Sequence, residues 1–478
     1  MEQYLIGIDL GTTGCKAMLF DTNGQILSSH YIEYGLLFTP EGVEQDAEEW
    51  WRNTCLCVSS CVRQSGVDPQ QITALSISSQ GIAGVPVDAN GQVLYNALSW
   101  LDNRSTEEQS RMRQLFGFER IRQLTGKNNT DYSLPQLWWI KRQRPEVYAK
   151  TDKYLMPLDF LIRRMTDRSA TDFSMASGTL AFDVHHSCWI QEFFDALELP
   201  ADLWADLLPM GTAVGSLTAN AAEAMGLPAS VTVVMGAQDQ RCAALGAGIE
   251  PGVITISLGT AAAVCSLLAA PTIDPEGLVT CCGMDGQSWM AETTIGTTGA
   301  ALKWLRNTCF AGQSYDELNQ LASQAQPGAG GLFFLPLLNR GKGGFFGLRL
   351  ETTPGDMVRA VMEGVAYIFR HHIENHERLS GPCRELRIFG GGSNSPIWLQ
   401  IIADVTGKRV VRPQTHETAC LGAAILAAKG AGLLTDIYHA EAMTGAPSQI
   451  FTPNSANELL YTEAYRKSLE LSDFIDKF

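Results

Sequence analysis

The residues best suited to chemistry fall in a motif that occurs twice. Ile8-Asp9-Leu10-Gly11-Thr12-Thr13-Gly14 follows a short apolar run, and Ile256-Ser257-Leu258-Gly259-Thr260-Ala261-Ala262 repeats its frame later in the chain. Each copy reads as strand, glycine turn, strand. A glycine turn flanked by hydroxyls points backbone N–H groups and threonine oxygens into one concavity, which suits a polyphosphate. Alone, such a turn reads first as an ordinary hairpin closed by glycine. Asp9 sharpens the first copy, because a carboxylate at the end of a buried strand needs compensation. A magnesium ion beside phosphates, which takes one or two carboxylates and keeps several waters, would supply it. A second carboxylate, Asp239 in Met235-Gly236-Ala237-Gln238-Asp239-Gln240, follows another apolar strand. At that position it reads either as a general base facing a cleft or as a helix N-cap.

Elements of both periods must carry these residues. Strands at 5–8, 17–20 and 25–31 read as a meander, with a turn at Asp21-Thr22-Asn23-Gly24. A helix over 47–64 and a buried strand over 72–78 come next, and helical segments dominate to about 197. The second half repeats the plan, with strands at 253–258 and 262–268, a long helix over 356–378, a strand at 386–389 ending in Gly390-Gly391-Gly392, and a small-residue helix over 418–429. Residues 445–454 read as a loop before a closing helix from about 456.

Composition sets the outer limits. At 478 residues the chain exceeds a single core, so two domains are expected, divided at 247/248. A formal net charge of −16 argues against nucleic-acid binding. No uninterrupted apolar run is long enough for a membrane span and no signal segment opens the chain, so cytoplasmic residence without a membrane partner is expected. The 12 cysteines, Cys281-Cys282 among them, lack zinc-site spacing and read as reduced core residues. His372 and His376 stand at i and i+4, but their intervening glutamate is not placed as in metalloproteases, and they read as a solvated helix face.

Taken together, the Asp9 turn, Trp100-Leu101-Asp102-Asn103-Arg104, Gly236-Ala237-Gln238-Asp239, Leu258-Gly259-Thr260 and Gly390-Gly391-Gly392-Ser393-Asn394 resemble the FGGY family of carbohydrate kinases. Residues 344–363 and Asp159, Thr171, Asp172, Ser177 and Asp183 extend the likeness. The resemblance implies an α/β fold of two actin-like, ribonuclease H-like domains with a nucleotide and sugar cleft between them. It implies ATP and Mg²⁺ as cofactors, Asp239 as the catalytic base, and Asp9 together with Asp239 on the metal side. It further implies Thr12, Thr13, Lys16, Gly259, Thr260, Gly391, Gly392 and Asn394 as ATP contacts, and Gln80, Gly81, Asp102 and Arg104, with Asp239, as sugar contacts. The implied reaction is in-line transfer of phosphate to a small sugar, a ketopentose such as xylulose or a related ketose or polyol. A homodimer is compatible with that reading. An actin-like or chaperone-like ATPase switch is the competing class, and the Asp102, Arg104 and Asp239 set favours the kinase. Gly81-Ile82-Ala83 stands where xylulose-specific members carry Met-His-Gly, Ala261 stands where a serine is usual, and Gln136 replaces a common lysine.

Overall fold

The computed structural model describes residues 2–477. They group into two compact units. The first runs to Gly248 and takes in Leu268–Met290 and Glu417–Gly445; the second comprises Ile249–Leu267, Ala291–His416 and the segment from Ala446 onward. The chain therefore passes between the units several times, where the sequence suggested one division at 247/248.

The first unit is built on strands β1 (Tyr4–Leu10), β2 (Gly14–Asp21), β3 (Ile26–Glu33), β4 (Ile72–Ser79), β5 (Ala213–Ser216) and β6 (Thr232–Gln238). They form one mixed sheet in the order β5-β6-β4-β1-β2-β3. β1 and β2 pair antiparallel and close the Gly11–Thr13 turn, whereas β1, β4 and β6 run parallel. Leu5, Ile6, Ile8 and Leu10 are all fully buried, as a strand covered on both faces requires. Ile6 and Ile8 join the core that includes Trp50 of the helix Ala47–Ser65, which Asp46 caps through Glu48 N. Gly7 alternates to the opposite face, where the helix Thr418–Gly430 approaches so closely that a Cβ would lie 1.9 Å from the Cys420 carbonyl oxygen. The same helix crosses Asp239–Gly246 in backbone contact. A Cβ on Gly246 would meet Thr418 O at 1.9 Å, and one on Gly422 would meet Cys242 O at 1.8 Å.

The second unit repeats the topology. Strands β7 (Val253–Leu258), β8 (Ala262–Leu268), β9 (Glu385–Phe389), β10 (Arg409–Arg412) and β11 (Gln449–Phe451) lie in the order β8-β7-β9-β10-β11 within its sheet. β7 and β8 are antiparallel; β7, β9 and β10 are parallel. Thus β2-β1-β4-β6 and β8-β7-β9-β10 share one plan, and the expected α/β class with two mixed sheets holds. The long helix runs Pro354–Ser380, held at its start by a capping box between Thr353 and Asp356.

Two expectations are corrected. Residues 449–451 are a strand, not loop, because they pair antiparallel with β10 as an edge. His376 is fully buried, not solvated: its Nδ1 lies 2.8 Å from Ser266 Oγ and its Nε2 3.2 Å from Thr293 Oγ1, and burial pushes its pKa down to about 3. All 12 cysteines are free and ten are buried.

Candidate active site

Three polar residues stand at the carboxyl ends of three neighbouring parallel strands of the first unit. Asp9 lies near the end of β1, Gln80 follows β4, and Asp239 follows β6. Open α/β sheets bind their ligands at this edge. Asp9 accepts a 2.7 Å hydrogen bond from Ser78 Oγ. Burial raises its pKa above the ordinary range, against the pull of Ser78 and Lys16. Asp239 opens the helix Asp239–Gly246, but the N-cap is Gln238, whose extended backbone lets its Oε1 accept from Gln240 N at 3.1 Å. Asp239 Oδ1 accepts from Gln240 N at 2.6 Å and from Gln238 Nε2. Gln238 in turn accepts from Arg241 Nη1 at 2.6 Å.

Gln80 is only 2% exposed, yet neither its Oε1 nor its Nε2 has a hydrogen-bond partner among the described residues. An amide orphaned at both ends is costly unless something else satisfies it. Its loop lies against the Asp239 helix, since a Cβ on Gly81 would come 3.4 Å from Gln238 Cγ. Ile82 next to it has φ 62°, a strained position for a β-branched residue.

The Gly11–Thr13 turn is fixed from outside. Tyr34 donates its hydroxyl to Gly11 O and its N–H to Thr13 O, and Gln45 Nε2 donates to Thr12 O. Trp100, 44% exposed, donates from Nε1 to Thr12 Oγ1 at 3.0 Å. The sequence reading gave this indole no role of its own, although its place in Trp-Leu-Asp-Asn-Arg and its exposure mark it. Lys16 lies 2.7 and 2.8 Å from the two carboxylate oxygens of Glu417. Asp102 and Arg104 are bound to one another. Arg104 Nε reaches both Asp102 oxygens at 2.9 Å, while its Nη1 reaches Glu44 at 2.9 Å and Tyr95 Oη at 3.2 Å. Asp102 also accepts from Val43 N at 2.7 Å, and the guanidinium stacks 5.1 Å from the Trp139 ring centre. The pair braces residues 42–44, and its charges are satisfied within the protein.

In the second unit, the Gly259–Ala261 turn is clamped by the start of the helix Gly299–Cys309. Gly259 O accepts from Gly299 N at 2.9 Å and Thr298 Oγ1 at 3.1 Å; Thr260 O accepts from Thr298 N at 3.2 Å and Ala300 N at 3.1 Å. Thr298 is a further residue at this turn that sequence reasoning missed. The Gly390–Asn394 segment leaves β9, makes one tight turn and enters the helix Pro396–Thr406. A Cβ on Gly392 would fall 2.4 Å from Leu258 Cγ, so this segment packs on the end of β7 beside the turn. Gly259, Thr260, Gly391 and Gly392 are thereby brought together, with Asn394 exposed on the same turn.

No cluster of three or more His, Cys, Asp or Glu side chains that could hold a metal is present among the described residues. Asp9 supplies one carboxylate at this strand end, and a magnesium ion beside phosphates needs only one or two, with waters completing its shell. No helix of the described residues is long and apolar enough to cross a membrane.

The family model described as the N-terminal domain of the FGGY family of carbohydrate kinases matches residues 4–246, and that of the C-terminal domain matches residues 254–431. The chain belongs to the FGGY family of carbohydrate kinases. This FGGY kinase is 28% identical over 497 residues to a xylulose kinase of Bacillus subtilis, with 100% of this chain and 99% of the relative covered. It is 26% identical over 495 residues to a gluconokinase of Bacillus licheniformis, covering 98% and 95%. The crystal structure of xylulose kinase from Rhodospirillum rubrum superimposes with a TM-score of 0.92 at 25% identity, covering 100% of this chain and 99% of that one. The FGGY kinase is accordingly an ATP-dependent phosphotransferase acting on a carbohydrate, and the switch-ATPase alternative falls away.

Proposed function

We propose that this FGGY kinase phosphorylates a small neutral ketose or polyol of about five carbons, with Asp239 as general base. The observation that carries the reading is Gln80, buried with both ends of its amide unpartnered beside the Asp239 helix. An amide offers one donor face and one acceptor face, which matches a pair of sugar hydroxyls. Neutrality of the substrate follows from the cations. Arg104 is paired with Asp102 and Glu44, and Lys16 with Glu417, so neither stands open to a sugar carboxylate as an aldonic acid would require. The names of the relatives include both substrate types, and these pairings favour the ketose.

In this mechanism the hydroxyls and N–H groups of Thr12 and Thr13 face the phosphates, and Lys16, on the strand that leaves the turn, stays paired with Glu417. Gly259, Thr260, Gly391, Gly392 and Asn394 hold the nucleotide. Asp9 would hold magnesium, with Asp239 as the second carboxylate, and the ion would neutralise phosphate charge when bound. A sugar hydroxyl bonds to the γ-phosphorus as the bond to the ADP oxygen breaks, and the hydroxyl proton passes to the Asp239 carboxylate. Gln238 Nε2 and Gln240 N fix that carboxylate from behind. Ile82, strained and aliphatic, stands at the position where xylulose-specific members carry a histidine able to hydrogen-bond a hydroxyl, so in this reading the substrate presents no polar group there.

ADP release with MgATP and a panel of D-xylulose, D- and L-ribulose, L-xylulose, erythrulose, ribitol and gluconate tests the reading. Asp239→Asn should fold and bind nucleotide but lose turnover by about a hundredfold or more. Near-normal turnover in that variant removes Asp239 from the role. Gluconate as the best substrate overturns the neutral pocket. A preference for D-xylulose over every other sugar by about tenfold, roughly 1.4 kcal/mol in transition-state binding, overturns the Ile82 argument.

A further inference from the structure

The Gly11–Thr13 turn is gripped by its oxygens. Gly11 O and Thr13 O accept from the hydroxyl and the N–H of Tyr34, and Thr12 O accepts from Gln45 Nε2 at 2.9 Å. One side-chain oxygen of the turn is held as well, because Trp100 Nε1 lies 3.0 Å from Thr12 Oγ1. An indole N–H donates and cannot accept, so the threonine hydroxyl is the acceptor of this pair. Its own proton turns away from the incoming donor, and no group among the described residues takes it. A turn whose carbonyls are tied from outside and whose hydroxyl keeps a free proton is complementary to an anion with acceptor oxygens.

Trp100 opens the segment that carries Asp102 and Arg104, and Ser99 anchors its start. Ser99 O accepts from Asp102 N at 3.0 Å and from the buried Gln136 Nε2 at 3.1 Å, while Ser99 Oγ accepts from Leu101 N at 3.2 Å. Asp102 in turn accepts from Val43 N at 2.7 Å, and Gln45, two residues further on, is the side chain that holds Thr12 O. Thr12 is therefore held at its carbonyl and at its hydroxyl by two segments that Asp102 joins. The indole itself is 44% exposed, so burial of its ring contributes little to the core, and the one hydrogen bond of that ring goes to Thr12.

We propose that Trp100 is a positioning residue for ATP: its indole N–H holds the Thr12 hydroxyl as an acceptor, so that the hydroxyl proton is presented to a phosphate oxygen. Through this contact the segment of Asp102 and Arg104 sets the phosphate turn. The proposal rests on the Gly11–Thr13 turn as a phosphate site, and a double-mutant cycle separates the two. Trp100→Phe keeps an aromatic ring and removes the N–H. Calorimetric binding of a non-hydrolysable ATP analogue with Mg²⁺, without sugar, should weaken about fivefold in Trp100→Phe and in Thr12→Val, as loss of one hydrogen bond does. The double variant should match Thr12→Val to within about twofold, because both changes remove the same contact. Thr12→Ser, which keeps the hydroxyl, should bind within about twofold of wild type. With MgATP and the best substrate of the sugar panel, Trp100→Phe should raise the ATP KM by a similar factor while the sugar KM stays within about twofold. Circular dichroism checks folding, and Trp100→Met, which also lacks the N–H, takes the place of Trp100→Phe if that variant is unfolded. Wild-type affinity in Trp100→Phe, losses that multiply in the double variant, or a sugar KM that rises more than the ATP KM overturns the proposal while the turn keeps its assignment. Full nucleotide affinity in Thr12→Val overturns the assignment of the turn and the proposal with it.

Discussion

Asp159 shows what one buried carboxyl does to the whole unit. It is 3% exposed and accepts from Met156 N at 3.0 Å, and burial pushes its pKa up to about 8. The unfolded chain releases this proton near the ordinary carboxylate value of about 3.9, so the folded state binds it more tightly. Stability from this group is therefore complete at acid pH and declines as pH rises toward about 8. Asp159→Asn cannot ionise, so its melting temperature relative to wild type should climb by about 2–5 °C between pH 5 and pH 8. Calorimetry at the two pH values tests this, and a constant gap contradicts it. Residue-scale chemistry was only partly legible in the sequence. Asp9 could be singled out because an acid ending an apolar run is visible locally. Cys282 accepts hydrogen bonds from Arg241 and Lys127, 41 and 155 positions away, so nothing near it in sequence announced those contacts. The resemblance implies Lys16 as an ATP contact and Arg104 as a sugar contact, and nothing near either in sequence marks the glutamates that pair with them, Glu417 and Glu44, which come from distant positions.

At the scale of elements, the crossing of Asp239–Gly246 with Thr418–Gly430 carries the Asp239 helix at a fixed depth. Its two close approaches are backbone on backbone, which leaves no flexible side chain to yield. Gly422→Ala should cost about 1–3 kcal/mol of stability by overpacking and lower kcat as well, because the helix that begins at Asp239 must shift. Denaturant unfolding together with sugar-dependent turnover tests both halves, and a variant with unchanged stability would show that the crossing is loose. Strands β7 and β8 were readable to the residue, since short apolar runs bounded by a glycine turn carry their own limits. The long helix was read late at its start, although Thr353, Pro354 and Asp356 spell a cap. β11 left no such mark: Ile450 is 50% exposed, and the strand exists only through its pairing with β10.

For the whole molecule, the division into units is the property furthest from what a linear reading can supply. Duplication was visible from the repeated turn, and the two sheets do share a plan. The return of residues 417–445 to the first unit was not, because a small-residue helix looks alike wherever it packs. A chain ending at residue 247 lacks the helix that covers Gly7 and meets Gly246. It should therefore bind hydrophobic dye and unfold without cooperativity, and joining residues 268–290 and 417–445 to it through flexible linkers should restore a cooperative transition. A sharp transition in the shorter chain alone would contradict this.

The late position of that helix also sets a timetable for biosynthesis. Thr418–Gly430 leaves the ribosome roughly 180 residues after the rest of the sheet that it covers, a delay on the order of 10–40 s at ordinary translation rates. Through that interval the nascent β1 and β4 region has an uncovered apolar face, so a trigger-type chaperone bound there would be displaced only by the chain's own closing segment. Ribosome-bound chains arrested before residue 417 should be sensitive to protease and those arrested well past residue 430 resistant, with protection of the N-terminal half appearing in a single step.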